Sequence, residues 1–114
     1  MTRYLISFPA DAMNHIPAEE FPDVGEAAHA VVRAAKEAGV YIFSGGIDED
    51  VPPVMVTGDG TVTAGTYPET EKLSGGFMVI DVSSRDEALE WAAKIAAACR
   101  CAQEVRQFMF DAEA

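Results

Sequence analysis

Residues Gly76–Val82 read Gly-Phe-Met-Val-Ile-Asp-Val, and no other segment constrains the fold as tightly. Successive side chains of a strand point to opposite faces of its sheet. Phe77 and Val79 supply apolar groups to one face, and Met78, Ile80 and Val82 supply them to the other. A strand with one solvated face should alternate apolar and polar residues. This one predicts burial on both sides, with Asp81 expected to reach water at the strand end, because an unpaired buried carboxylate is costly. Residues 40–44 repeat the pattern, with Tyr41 and Phe43 on one parity and Val40 and Ile42 on the other. Phe108 and Phe110 likewise oppose Met109.

The remaining elements say what is available to cover such strands. Residues 4–8 predict a first strand, stopped by Pro9, and residues 10–22 follow without a clear period. Val24, Ala27, Ala28, Val31, Val32, Ala35 and Ala38 then recur at helical steps. Asp23 is the expected N-cap, Glu26 completes a capping box, and Gly39 sits at the C′ position. Two β-branched runs, residues 54–57 and 61–63, flank Gly58-Asp59-Gly60 and predict a hairpin. Residues 64–75 form a polar loop. Ser84, with Glu87 three positions on, opens a second helix whose stripe is Ala88, Trp91, Ala92, Ile95, Ala96 and Cys99. Residues 104–110 predict the last strand. The order β-α-β, hairpin, β-α-β is that of an α+β, ferredoxin-like βαββαβ antiparallel sheet with an inserted hairpin, in one domain spanning residues 1–114. Two helices cover one sheet face. The other face is expected to be covered by a second copy, so the expected assembly is a homodimer.

Charge and cysteines exclude several classes. Eight Lys and Arg stand against 19 Asp and Glu, a net charge of −11. That balance disfavours nucleic acid and anionic membrane surfaces as partners. No apolar run approaches a membrane span, and no secretory leader pattern is present, so the expected location is the cytoplasm. Cys99-Arg100-Cys101 lacks the spacing of zinc and thioredoxin motifs, and both thiols are expected free. Neither metal nor cofactor is expected, and no P-loop, Rossmann fingerprint or nucleophile elbow occurs.

The segment Thr63-Ala64-Gly65-Thr66-Tyr67-Pro68-Glu69-Thr70-Glu71-Lys72-Leu73-Ser74-Gly75-Gly76-Phe77, together with Asp86-Glu87-Ala88-Leu89-Glu90-Trp91-Ala92, resembles the YCII-related family in its DGPF-domain branch. The resemblance implies a dimeric α+β barrel of ferredoxin-like subunits. It also implies relatives that act on small aromatic substrates, a dehydrochlorinase among them, with a His-Asp pair proposed as catalytic in parts of the family. The name-giving Asp-Gly-Pro-Phe is replaced here by Ala64-Gly65-Thr66-Tyr67, and His29 lies about one position from the family histidine.

Two polar loops carry the candidate chemistry. His15 follows the first strand, with Asp11 four residues before it, and this is an arrangement that acid–base work requires. Glu69 is the candidate catalytic partner from the second loop. Tyr67, Ser44 and Glu71 are candidate ligand-binding groups, and no residue is assigned to a metal. The site is expected at the sheet end where residues 10–22 and 64–75 would meet. Two functions stand open: a cofactor-free enzyme acting on a small aromatic or carbonyl molecule in a cleft at the dimer, and a non-catalytic small-ligand-binding or regulatory module.

Overall fold

The computed structural model describes residues 1–114. Its strands are β1 (Thr2–Phe8), β2 (Tyr41–Gly46), β3 (Val54–Val56), β4 (Val62–Ala64), β5 (Gly76–Val82) and β6 (Glu104–Gln107). The helices are α1 (Phe21–Glu37) and α2 (Arg85–Cys99). Four strands form one antiparallel sheet in the order β2-β5-β1-β6, and β3 and β4 pair separately. Two split βαβ units share the sheet, and the hairpin is inserted between them, as the sequence order predicts.

Both helices lie over one face. Tyr4 and Ile6 of β1 and Met78, Ile80 and Val82 of β5 meet Ala35 of α1 and Ala88, Trp91, Ala92, Ile95 and Cys99 of α2 in one buried cluster. Alanine at the helix contacts lets the helices approach closely while Trp91 fills the space between elements. The opposite face carries Leu5, Phe43, Phe77 and Val79 with Arg3, Asp81 and Arg106; no helix or strand covers it, and the tail after β6 reaches only over its Arg3–Asp81 end. Asp81 is half-buried there, opposite Arg3 in the register.

Four local expectations change. The first helix starts at Phe21, with no side chain capping it and Pro22 in its first turn, where the missing N–H would be unpaired anyway. Asp23 therefore sits inside the helix near its positive end, and Glu26 pairs with Arg33 at 2.6 Å. The second strand, expected over residues 40–44, runs on through Gly45 and Gly46. In β2, a bulge between Tyr41 and Phe43 pairs Tyr41 with Ile80 but Phe43 with Val79. The two aromatics therefore face opposite sides, not the same side. The last strand ends at Gln107, short of the expected Phe110: the Phe108 N–H still reaches the Arg3 carbonyl at 3.0 Å, but the ladder stops there although β1 runs on to Thr2. No helix is long and apolar enough to cross a membrane.

Candidate functional site

The Gly75-Gly76 pair joins the two polar loops. A Cβ on Gly75 would overlap the Phe8 carbonyl oxygen and come within 2.8 Å of the Pro9 carbonyl carbon. A Cβ on Gly76 would lie 2.6 Å from the Phe8 ring. Glycine is required here for close backbone approach, not for an unusual φ. The seam is then tied by hydrogen bonds. The Ala10 N–H donates to Ser74 Oγ at 3.3 Å, and the Ile47 N–H donates to the Gly75 carbonyl at 2.9 Å. Lys72 Nζ reaches Asp11 Oδ2 at 2.7 Å. The hydrogen bond to Asp11 raises the Lys72 pKa, although both groups are largely exposed and the pair is screened by solvent.

Residues 10–22 and 64–75 therefore meet at the end of the sheet. Beside the seam lies an open depression of about 360 Å³. Phe8, Met13, Phe21 and Ile47 give it apolar walls, the glycines form its floor, and Asn14, Glu49 and Ser74 supply polar groups. Ser74 Oγ accepts from Ala10, which leaves its own hydrogen to donate. A planar molecule placed there would find aromatic surface, an amide, a hydroxyl and one carboxylate.

The residues expected to work at this end are placed unevenly. Asp11 faces Lys72 and not His15. His15 follows the lining residue Asn14, is exposed, and takes no hydrogen bond or ion pair with Asp11, Glu69 or Glu71. Tyr67 precedes a short 3-10 turn, Pro68–Thr70, that carries Glu69; Tyr67, Glu69 and Glu71 are all exposed. Ser44 lies on the helix side, half-buried, 2.9 Å from the Tyr41 hydroxyl. The bulge brings these two hydroxyl groups together, and neither lines the depression. His29 is exposed on α1. Asn14, Glu49, Ser74 and Phe21 were not singled out by sequence. Only Ser74 carried a signal, its place directly before the glycine pair. No three His, Cys, Asp or Glu residues stand together as a metal site.

A larger hollow, about 630 Å³, lies at the opposite end of β1, between Arg3, Val79, Asp81 and residues 107–114. Its outer wall is joined to the sheet by two hydrogen bonds, Phe108 N–H to Arg3 O at 3.0 Å and Arg3 Nη1 to Ala114 O at 3.4 Å. The smaller depression is the one the two polar loops share, and backbone packed on backbone at Gly75 fixes its floor.

The family model for the YCII-related domain matches residues 4–109. This chain belongs to the YCII-related family. A search of the curated proteins finds no match to its sequence. Among solved structures, this YCII-related chain is similar to 5-chloro-2-hydroxyhydroquinone dehydrochlorinase (TftG) from Burkholderia phenoliruptrix AC1100, in complex with 2,5-dihydroxybenzoquinone. The likeness covers 99% of this chain and 98% of that one, with a TM-score of 0.52 and 14% identity. At that identity the likeness establishes a shared mixed α+β fold.

Proposed function

We propose that this YCII-related protein binds a small aromatic or carbonyl-containing molecule in the depression beside the Gly75–Gly76 seam, as a ligand-binding or regulatory module and as a homodimer. The observation that carries this reading is the convergence of Phe8, Phe21, Asn14, Glu49 and Ser74 on one recess. Its volume falls at the small end of the range for ligand sites, which suits a single-ring compound. No histidine lines the recess, so binding comes before catalysis in this assignment. The homodimer is supported by the uncovered sheet face, and a cytoplasmic location by two free cysteines, which suit a reducing compartment.

Cofactor-free catalysis is the second reading. It is favoured by the whole-length likeness to a dehydrochlorinase whose structure holds 2,5-dihydroxybenzoquinone. In that reading His15, Asp11 and Glu69 act from the loops around the recess, Glu49 lies within it, and Tyr67 and Glu71 supply further binding groups, while Ser44 stays with Tyr41 on the helix side of the sheet.

Titration calorimetry with 2,5-dihydroxybenzoquinone and with hydroquinone tests both readings. Asn14→Ala and Glu49→Gln should each weaken binding roughly 10-fold, the loss of one hydrogen bond. Binding with no turnover of a chlorinated hydroxyhydroquinone by wild type fits the first reading. Turnover by wild type that is lost in His15→Ala, with binding kept, fits the second. Absence of binding by either probe, or full binding by the Asn14→Ala/Glu49→Gln double variant, overturns the site.

A further inference from the structure

The larger hollow holds two opposite charges that do not meet. Arg3 and Asp81 stand directly across from each other in the β1–β5 register, on the sheet face that carries no helix, and both line the hollow. Opposite charges facing each other across neighbouring strands ordinarily pair. Here neither takes part in an ion pair. The Arg3 guanidinium turns aside to the tail, where Nη1 donates to Ala114 O at 3.4 Å, a long contact that engages one of its five N–H groups. Asp81 is half-buried; its backbone N–H donates to Val40 O at 2.8 Å, but no protein donor reaches its carboxylate.

The surroundings of this pair are largely apolar. Val79 lies on the same face, two residues before Asp81. Phe108, held by its N–H to the Arg3 carbonyl at 3.0 Å, flanks Arg3 on the other side. Met109 and Phe110 follow it in the wall, almost fully exposed. Asp111 also borders the hollow, but it belongs to the tail's own turn: its carboxylate accepts from the Glu113 N–H at 2.9 Å and its carbonyl from the Ala114 N–H at 3.2 Å. The volume of about 630 Å³ is mid-range for a small-molecule site.

We infer that this hollow binds a zwitterionic α-amino acid with an aromatic or aliphatic side chain, its carboxylate on Arg3 and its ammonium on Asp81. A guanidinium takes a carboxylate through two parallel N–H donors, and a half-desolvated carboxylate takes a cation. An α-amino acid carries both groups on one carbon, so it bridges two charges that adjacent strands hold side by side. Its side chain then lies over Val79 and against Phe108 and Phe110, whose apolar surface leaves water when the hollow fills. A simple carboxylic acid would face Asp81 as a like charge, and a simple amine would face Arg3. A neutral ring would strip water from both charges and pair with neither. The hollow lies at the opposite end of β1 from the recess beside Gly75, so the assignment is independent of the function proposed for that recess.

Calorimetric titration with L-phenylalanine, 3-phenylpropionate and phenethylamine reads each half of the pair. Wild type should bind L-phenylalanine at least about 10-fold more tightly than either one-charge analogue, the difference made by one charge-assisted contact. Asp81→Asn should abolish the preference over 3-phenylpropionate, and Arg3→Gln the preference over phenethylamine. Failure of wild type to bind L-phenylalanine, equal binding of the three probes, or preferences that survive both substitutions overturns the inference. Loss of L-phenylalanine binding in Asn14→Ala/Glu49→Gln would put the ligand in the recess and overturn it as well. Should Asp81→Asn or Arg3→Gln misfold, amide chemical shifts of wild type decide: those of Arg3, Val79, Asp81 and Phe108 must move as L-phenylalanine is added, and shifts confined to residues 8–21 and 74–76 overturn the assignment.

Discussion

Gly75 shows how much a single missing side chain can fix. Its backbone packs on that of Phe8, Pro9 and Ala10, so a methyl group there meets main chain that cannot rotate aside. Gly75→Ala should cost about 1–3 kcal/mol of stability, the usual range for overpacking, and should weaken any ligand held beside the seam. Urea unfolding measures the first effect, and a variant as stable as wild type would refute the close approach. The glycine pair is visible in the sequence, but its purpose is not, because the obstructing atoms belong to residues more than sixty positions away. The same holds for Asp11. Its carboxylate was matched with His15, four residues along, and the fold gives it to Lys72 from the other loop.

Among the elements, α2 follows its sequence most closely. Ser84 Oγ accepts from the Glu87 N–H at 3.1 Å, and Glu87 Oε2 accepts from the Ser83 N–H at 3.2 Å. The expected capping box thus forms, displaced by one residue on its return arm. Of the stripe from Ala88 to Cys99, all but the half-buried Ala96 is buried as its spacing predicts, with Arg100 in the left-handed conformation ending the helix. Burial pushes the Cys99 thiol from 9.0 up to about 11. A raised folded value means the stability is fully present below the unfolded value and is lost as pH rises through the folded one. Melting temperature should therefore decline between pH 9 and about 11, and decline less in Cys99→Ala. Parallel pH profiles for the two proteins would refute this. Burial also raises the Cys101 pKa, and that thiol is the more accessible of the two. The first helix was harder to bound because its start depends on Pro22, not on a capping side chain.

At the scale of the whole molecule, only 16 of 114 residues are buried, which is little for a chain with 49 % hydrophobic residues. A protein completed by its own copy should gain stability from mass action, so its melting temperature should rise with protein concentration. A constant melting temperature over a hundred-fold dilution series, ~0.1 to 10 times a working concentration, would argue for a self-sufficient monomer. The amino-acid sequence by itself determined the element order, the antiparallel βαββαβ plan with its inserted hairpin, the helix stripes and the family, because these rest on local periodicity and short motifs. It also marked residues 10–22 and 64–75 as the loops that meet. Only the tertiary structure decided that a bulge turns Phe43 away from Tyr41, that Asn14, Glu49, Ser74 and Phe21 share a recess, and that Arg3 and Asp81 share a hollow without pairing. Those outcomes depend on strand register and on backbone contacts between distant segments, and side-chain order along the chain does not encode either one locally.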